Sequence, residues 1–261
     1  MYAELVRLIA HLDDSLIKDT NVIQWASPVP SFGDLSNALI ATLGLNPSNL
    51  EFLGSDGIEL SDLQRRFHTL SSLNLLSWGQ AKRTHVANII ESCKMYFQIN
   101  PYDRWFRRLD HIVRGTGYSF YGPKARVVHL DLIPYSTEVK WTDLKVAEKN
   151  KLFTIAGDSL GLLVRDSPIQ YLILNGQAVV NQFQEAYDVV LEKSLFSAWA
   201  LPRKNGKDVT GYAYKGQIRS LYGIRLSHPI KILGYNHNIQ SSFGVTRKVQ
   251  NEIRRWISRN I

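Results

Sequence analysis

ALIATLGLNPS, residues 38 to 48, is the stretch on which the reading of this chain turns. Its first six residues, Ala38 to Leu43, form a short, nearly continuous apolar run, as in a strand covered on both faces. The run stops at Gly44, and Asn46 stands before Pro47, a position pushed away from helical geometry. A covered strand that ends abruptly in a polar turn is what an open α/β sheet places at its ligand-binding edge.

Runs of the same kind recur along the chain. Ala125 to Ile133 reads as a second strand, with His129 and Asp131 on one face and Leu130 and Leu132 on the other. Tyr171 to Leu174, ending in Asn175 and Gly176, is a third, and Ile230 to Leu233, ending in GYNHN at 234 to 238, a fourth. Each is followed by a plausible helix. Val86, Ile89, Ile90, Cys93 and Phe97 share one helical face that Asn100 and Pro101 close. Upstream, Leu5, Ile9, Leu12 and Leu16 predict one amphipathic helix in the first twenty residues, within a helical extension over 1–30. Strand alternating with helix implies an α/β fold with a central, mostly parallel, four-stranded sheet flanked by helices on both faces. One domain over 1–261 is expected, since 261 residues at 44% hydrophobic content suit a single core. PRKNGKD, residues 202 to 208, with its Asn205-Gly206 turn, predicts a basic hairpin inserted at the surface within 195–225.

Charge and cysteine use narrow the function classes. A net charge of +8 favours polyanionic partners, without separating nucleic acid from an acidic membrane surface. With Cys93 as the one cysteine, a disulfide framework, a thiolate zinc site and a cysteine-held iron–sulfur cluster are excluded, which suits a reducing cytoplasm. Asp13, Asp14 and Lys18 interrupt any apolar leader, and no apolar run reaches bilayer length, so a cytoplasmic protein without membrane contact is expected.

Three constellations compete for the chemistry. GDSLG at 157 to 161 matches a nucleophile elbow, but such a serine needs a partnered histidine, and a plain helix start near Asp158 explains it as well. Asp131 with Glu138 and Lys140 echoes the acid-then-E-x-K set by which many nucleases hold magnesium, although Pro134 falls between the two acids. The third is the pair of strand-end loops GLNPS and NHNIQSS, joined by the HLD that ends the second strand.

On these last residues the chain resembles the uracil-DNA-glycosylase superfamily. SFGDLSNALIATLGLNPSNLEF, residues 31 to 52, is similar to the superfamily's first motif in its Asn-Pro form. HLDLIP (129 to 134) resembles the central strand whose asparagine reads the flipped base, LILNG (172 to 176) fits the intervening strand, and NHNIQSSFG (236 to 244) resembles the second motif. The resemblance covers about residues 31 to 261 and implies the superfamily's three-layer sandwich. It also implies a monofunctional DNA glycosylase, because no lysine occupies the motif positions, acting as a monomer without cofactor or metal.

The roles the resemblance carries over are these. Asn46 would hold the attacking water, and His237 would donate to the base oxygen as negative charge gathers there. Asp131 would read the base edge beside His129, with Ser48 at the C5 side of the base and Phe52 and Phe67 as stacking platforms. Arg65, Arg66, Arg203, Lys204, Lys207 and Arg247 could track phosphates, and Ser241 and Ser242 could take one at a helix start. Each has a plainer alternative: a turn cap for Asn46, a loop histidine for His237, core packing for the phenylalanines, solvated charge for the cations.

Two departures from the classical uracil enzymes bear on substrate. Ser48 stands where they carry a wall tyrosine, and Asp131 where they carry asparagine. A carboxylate only accepts hydrogen bonds, which opposes the O4 of uracil and suits the N4 amine of cytosine. An open C5 side then points to a bulky C5-modified cytosine such as glucosylated hydroxymethylcytosine in phage DNA, and to the bacterial defence branch of the superfamily. The alternatives are repair of uracil or mismatches, a metal-dependent nuclease, and a non-catalytic reader of modified DNA.

Overall fold

The computed structural model describes residues 1–99, 103–203, 206, 208–240 and 244–261. The N-terminal periodicity yields two helices rather than one, α1 (Tyr2–His11) and α2 (Ser15–Lys18). Asp14 causes the break: its carboxylate accepts the Leu16 N–H at 2.8 Å and so starts a new helix instead of continuing the old one. Then come β1 (Ile40–Gly44), α3 (Arg83–Ile99), α4 (Asp103–Val113), β2 (Val127–Asp131), α5 (Val146–Ala156) and α6 (Ser159–Val164). They are followed by β3 (Tyr171–Asn175), α7 (Gln177–Tyr187), β4 (Glu192–Leu195), β5 (Tyr212–Leu221), β6 (Ile224–Tyr235) and α8 (Arg247–Asn260).

Among the described residues the strands form one sheet in the order β2-β1-β3-β6-β5-β4, six strands where four were expected. β2, β1, β3 and β6 run parallel, and β5 runs antiparallel to both β6 and β4. Residues 195–225, expected as a surface insert, carry β5 and the start of β6 and so widen the sheet. Their tight turn is Tyr222-Gly223, with φ of 49° and 77°, the left-handed pair that matches the twist of a two-residue hairpin. Around the expected Asn205-Gly206 turn, Leu201 and Val209 do exchange both backbone hydrogen bonds at 2.9 Å. Lys204, Asn205 and Lys207 lie outside the described residues, as do Asn100 and Pro101.

Alternation along the parallel strands divides the core into layers. Val127, Ile173 and Leu233 face a cluster built with Cys93, Tyr96 and Phe97 of α3, Phe106 and Leu109 of α4, and Ile253 of α8. Val128, Leu172 and Ile232 face the opposite cluster, with Leu160 of α6 and Val180 and Phe183 of α7. A third cluster binds Leu5 and Leu8 of α1 to Ile89 of α3 and Leu152 of α5. Among the described residues no helix is long and apolar enough to cross a membrane.

GDSLG resolves as a helix start. Arg7 of α1 donates through Nη2 to the Asp158 carboxylate at 2.8 Å and to the buried Ser159 hydroxyl at 3.2 Å. The serine is therefore packed under α1 and not displayed as a nucleophile.

Candidate functional site

The carboxyl ends of β1, β2 and β3 open onto a cleft of about 460 Å³, a size usual for small-molecule and base pockets. Gly44, Leu45, Asn46, Pro47 and Ser48 follow β1 along its wall, and His129 and Asp131 reach it from β2. Four of the predicted base-site residues, Asn46, Ser48, His129 and Asp131, are thus brought together.

Register explains the His129 and Asp131 placement. Thr42 lies opposite His129 and Gly44 opposite Asp131, so both side chains rise on the face they share. The Thr42 hydroxyl is 2.8 Å from His129 Nδ1, and His129 Nε2 is 3.5 Å from Asp131 Oδ1. The tautomer with its hydrogen on Nε2, accepting at Nδ1 from Thr42, presents that hydrogen to the carboxylate. Gly44 is a steric requirement of this pair, since a Cβ there would lie 2.3 Å from Asp131 Oδ1 and 2.8 Å from His129 Nε2. The imidazole is boxed by Phe32, Trp105 and Phe106, with ring centroids 5.1 to 5.5 Å away.

Asn46 is held by its amide nitrogen. Nδ2 donates to Tyr135 O at 3.2 Å and to Thr137 Oγ1 at 3.0 Å, while the Thr137 hydroxyl spends its own hydrogen on Val139 O at 2.7 Å. Both partners are acceptors, which fixes the amide orientation and leaves Oδ1 as an acceptor for the cleft. Ser48 sits exposed at the rim and caps the 3-10 turn Asn49–Glu51, its hydroxyl accepting the Leu50 N–H at 3.2 Å.

On the far wall a relay of amides fixes a donor. The buried Tyr235 hydroxyl donates to Asn175 Oδ1 at 2.8 Å, and Asn175 Nδ2 donates to Gln240 Oε1 at 3.0 Å. Gln240 Nε2 is left buried without a hydrogen-bond partner, on a residue that lines the cleft. An unmatched buried donor costs about 1 to 3 kcal/mol, which an acceptor at this end of the cleft would offset.

The structure corrects other expectations. His237 does not line the cleft: it is buried, with Nε2 2.6 Å from Trp199 O, and burial pushes the imidazole below its ordinary value against that bond. Phe52 and Phe67 are core rings, Phe67 stacked on Tyr96 at 5.2 Å and Phe52 edge-on to Trp25. The aromatic walls are instead Phe32, Trp105, Phe106 and Trp141. Arg66 faces Glu51 at 3.4 Å and donates to Leu50 O, a structural engagement rather than a free phosphate contact. Arg65 and Arg203 are not among the residues lining the cleft; Arg203 is exposed on the 201–209 loop. Lys204, Lys207, Ser241 and Ser242 fall outside the described residues. Lys140 does line the cleft, but Glu138 is exposed, and among the described residues no three His, Cys, Asp or Glu side chains are grouped to hold a metal ion.

No protein-family model matches the chain, and no curated protein matches it.

Glu51, unnoticed in the sequence, also lines the cleft. Tyr96 forks its hydroxyl to both carboxylate oxygens at 3.0 and 2.9 Å. Burial pushes the carboxyl up to about 7, with Asp131 adding to the rise and Arg66 and Tyr96 opposing it. Because the folded value lies above the unfolded one of 4.5, the stability tied to the protonated form is complete below 4.5 and is lost as pH rises through about 7. At about 1.4 kcal/mol per unit, the parent is expected to lose on the order of 3 kcal/mol over that window. Urea titrations at pH 5 and 8 on parent and Glu51→Gln test it: the variant should lack this share of the decline, and equal declines would remove Glu51 from the titration.

A second depression, about 450 Å³, lies between α4 and α8 and is lined by Arg107, Arg108, His111 and Arg247. Arg108 donates to Gln240 O at 3.2 Å, so this basic groove adjoins the cleft wall.

Proposed function

We propose that the chain is a monofunctional DNA glycosylase of the uracil-DNA-glycosylase type, acting on an extruded cytosine with a large C5 substituent. The observation that carries this reading is the pairing of a fixed acceptor, Asn46 Oδ1, with an unmatched donor, Gln240 Nε2, in one cleft. Hydrolysis of an N-glycosidic bond needs those two things: an acceptor that orients a water at the sugar, and a donor for charge gathering on the leaving base. In this reading Gln240 takes the donor role that the resemblance gave to His237. Asp131, held by His129, accepts from the exocyclic amine, and the aromatic walls sandwich the ring.

The test is incubation with DNAs carrying uracil, cytosine, hydroxymethylcytosine or its glucosylated form, in EDTA, scoring free base and alkali-labile sites. Binding without abasic sites on any of them would replace the enzyme by a modified-DNA reader.

Specificity rests on Asp131 and Ser48. Asp131→Asn is expected to weaken action on modified cytosine by about 10-fold or more, since one base-edge pair is worth about 1 to 3 kcal/mol, and to raise trace activity on uracil. Ser48→Tyr should block the bulky base by clash at the open rim. A parent that prefers uracil, with Ser48→Tyr harmless, would return the assignment to uracil repair.

The basic groove fits the phosphates flanking the extruded nucleotide. Arg108→Glu with Arg247→Glu is expected to weaken binding of unmodified single-stranded DNA and to lower the slope of log affinity against log salt by about 1 to 2, the loss of two phosphate contacts. Anisotropy titrations at several salt concentrations read this, and an unchanged slope would place the strand elsewhere.

A further inference from the structure

Glu51 has no part in the roles assigned above, yet its position is costly. It closes the 3-10 turn Asn49–Glu51, which begins three residues after Asn46 and is capped by Ser48. One short segment therefore carries the water-holding amide and a buried carboxyl into the same cleft. A carboxylate removed from water costs several kcal/mol unless it is fully compensated, and Arg66 at 3.4 Å is a long contact for that purpose. Buried, perturbed acids in clefts are where proton chemistry concentrates.

We propose that Glu51 is the general base that takes a proton from the water held by Asn46. This rests on the glycosylase reading. As the C1′–N bond breaks, its electron pair leaves with the base, which Gln240 Nε2 holds through its oxygen until solvent protonates it. The water oxygen bonds to C1′ and passes one proton to a Glu51 oxygen, which later returns it to solvent. The charged and titratable groups around Glu51 are Arg66 from the loop before Phe67, Tyr96 from α3 and Asp131 from β2, with His129 beside Asp131 and Lys140 on the same cleft. Tyr96 donates to both oxygens and so favours the ionised form that a base must have.

The experiment is single-turnover base release from about pH 5 to about 9, with 13C-detected titration of the Glu51 carboxyl in the parent. The rate should rise to a plateau with a break near 7, matching the carboxyl titration. Glu51→Gln should lose about 100-fold at the plateau and lose the break. Tyr96→Phe should keep most of the plateau rate and move the break upward, a shift that a merely structural role for Glu51 would not produce. Should Glu51→Gln fold poorly, the Tyr96→Phe profile and the parent titration still decide the matter. A break that persists in Glu51→Gln, or a carboxyl titrating in the ordinary range, overturns the proposal. So does weakened affinity with an intact rate at saturation, which would make Glu51 a binding group. A parent that releases no base from any of the four DNAs overturns the glycosylase reading itself, and the base role with it.

Discussion

Asn46→Ala is expected to slow base release by about 100-fold or more while leaving DNA affinity close to the parent's. The amide is anchored on the side away from the cleft, by Tyr135 O and Thr137 Oγ1, so alanine removes the free acceptor without disturbing a ligand contact that pure binding would need. Two acceptors, Tyr135 O and Thr137 Oγ1, lose a donor at the same time, which costs about 1 to 3 kcal/mol of stability and has to be separated from the rate. Single-turnover rates at saturating DNA, with a urea titration on the same preparation, separate them. A folded variant within a few-fold of the parent rate would take Asn46 out of the chemistry.

Gln240→Leu should cost about 100 to 1,000-fold in the same rate, the scale of one donor aimed at developing negative charge. With the Tyr235 hydroxyl donating to Asn175 Oδ1 and Asn175 Nδ2 donating to Gln240 Oε1, the oxygen of Gln240 is engaged and its unpartnered group is the buried N–H. Leucine keeps the volume and drops the donor. The loss should shrink for a base that is intrinsically a better leaving group, because less charge then has to be held. His237→Ala, by contrast, should lower stability through the Trp199 carbonyl it abandons and leave the rate within a few-fold. The reverse ranking of Gln240 and His237 would restore the histidine to the reaction.

The parallel strands were legible because they are largely apolar: β1 is buried along its whole length and reads as a run from Ile40 to Leu43, and in β6 only the exposed Lys231 interrupts Ile230 to Leu233. β5 was missed because Lys215, Gln217 and Arg219 point to solvent, so its apolar residues alternate instead of running together. The residues legible in the site, Asn46, Ser48, His129 and Asp131, all sit within a few positions of a strand end. Glu51, Trp105 and Gln240 arrive by packing of a 3-10 turn, a helix and a loop over those ends, which no local pattern announces. Phe52 and Phe67 follow the same motif as Glu51, but distance along a loop does not say which way a ring turns, and theirs turn into the Phe32 and Tyr96 core. His237 was misplaced for the same reason.

The N-terminal helix reads in sequence as an appendage, but Tyr135 ties it to the cleft. Its hydroxyl donates to Leu8 O of α1 at 2.9 Å, and its carbonyl is one of the two acceptors that hold the Asn46 amide. Anything that pries α1 loose, whether a shortened N-terminus, a rigid fusion or a partner that captures the helix, therefore pulls on Asn46, the residue proposed to aim the water. The end of the chain farthest in sequence from the strand-end loops works as a tensioning strut, and turnover should report its docking as faithfully as any contact with DNA.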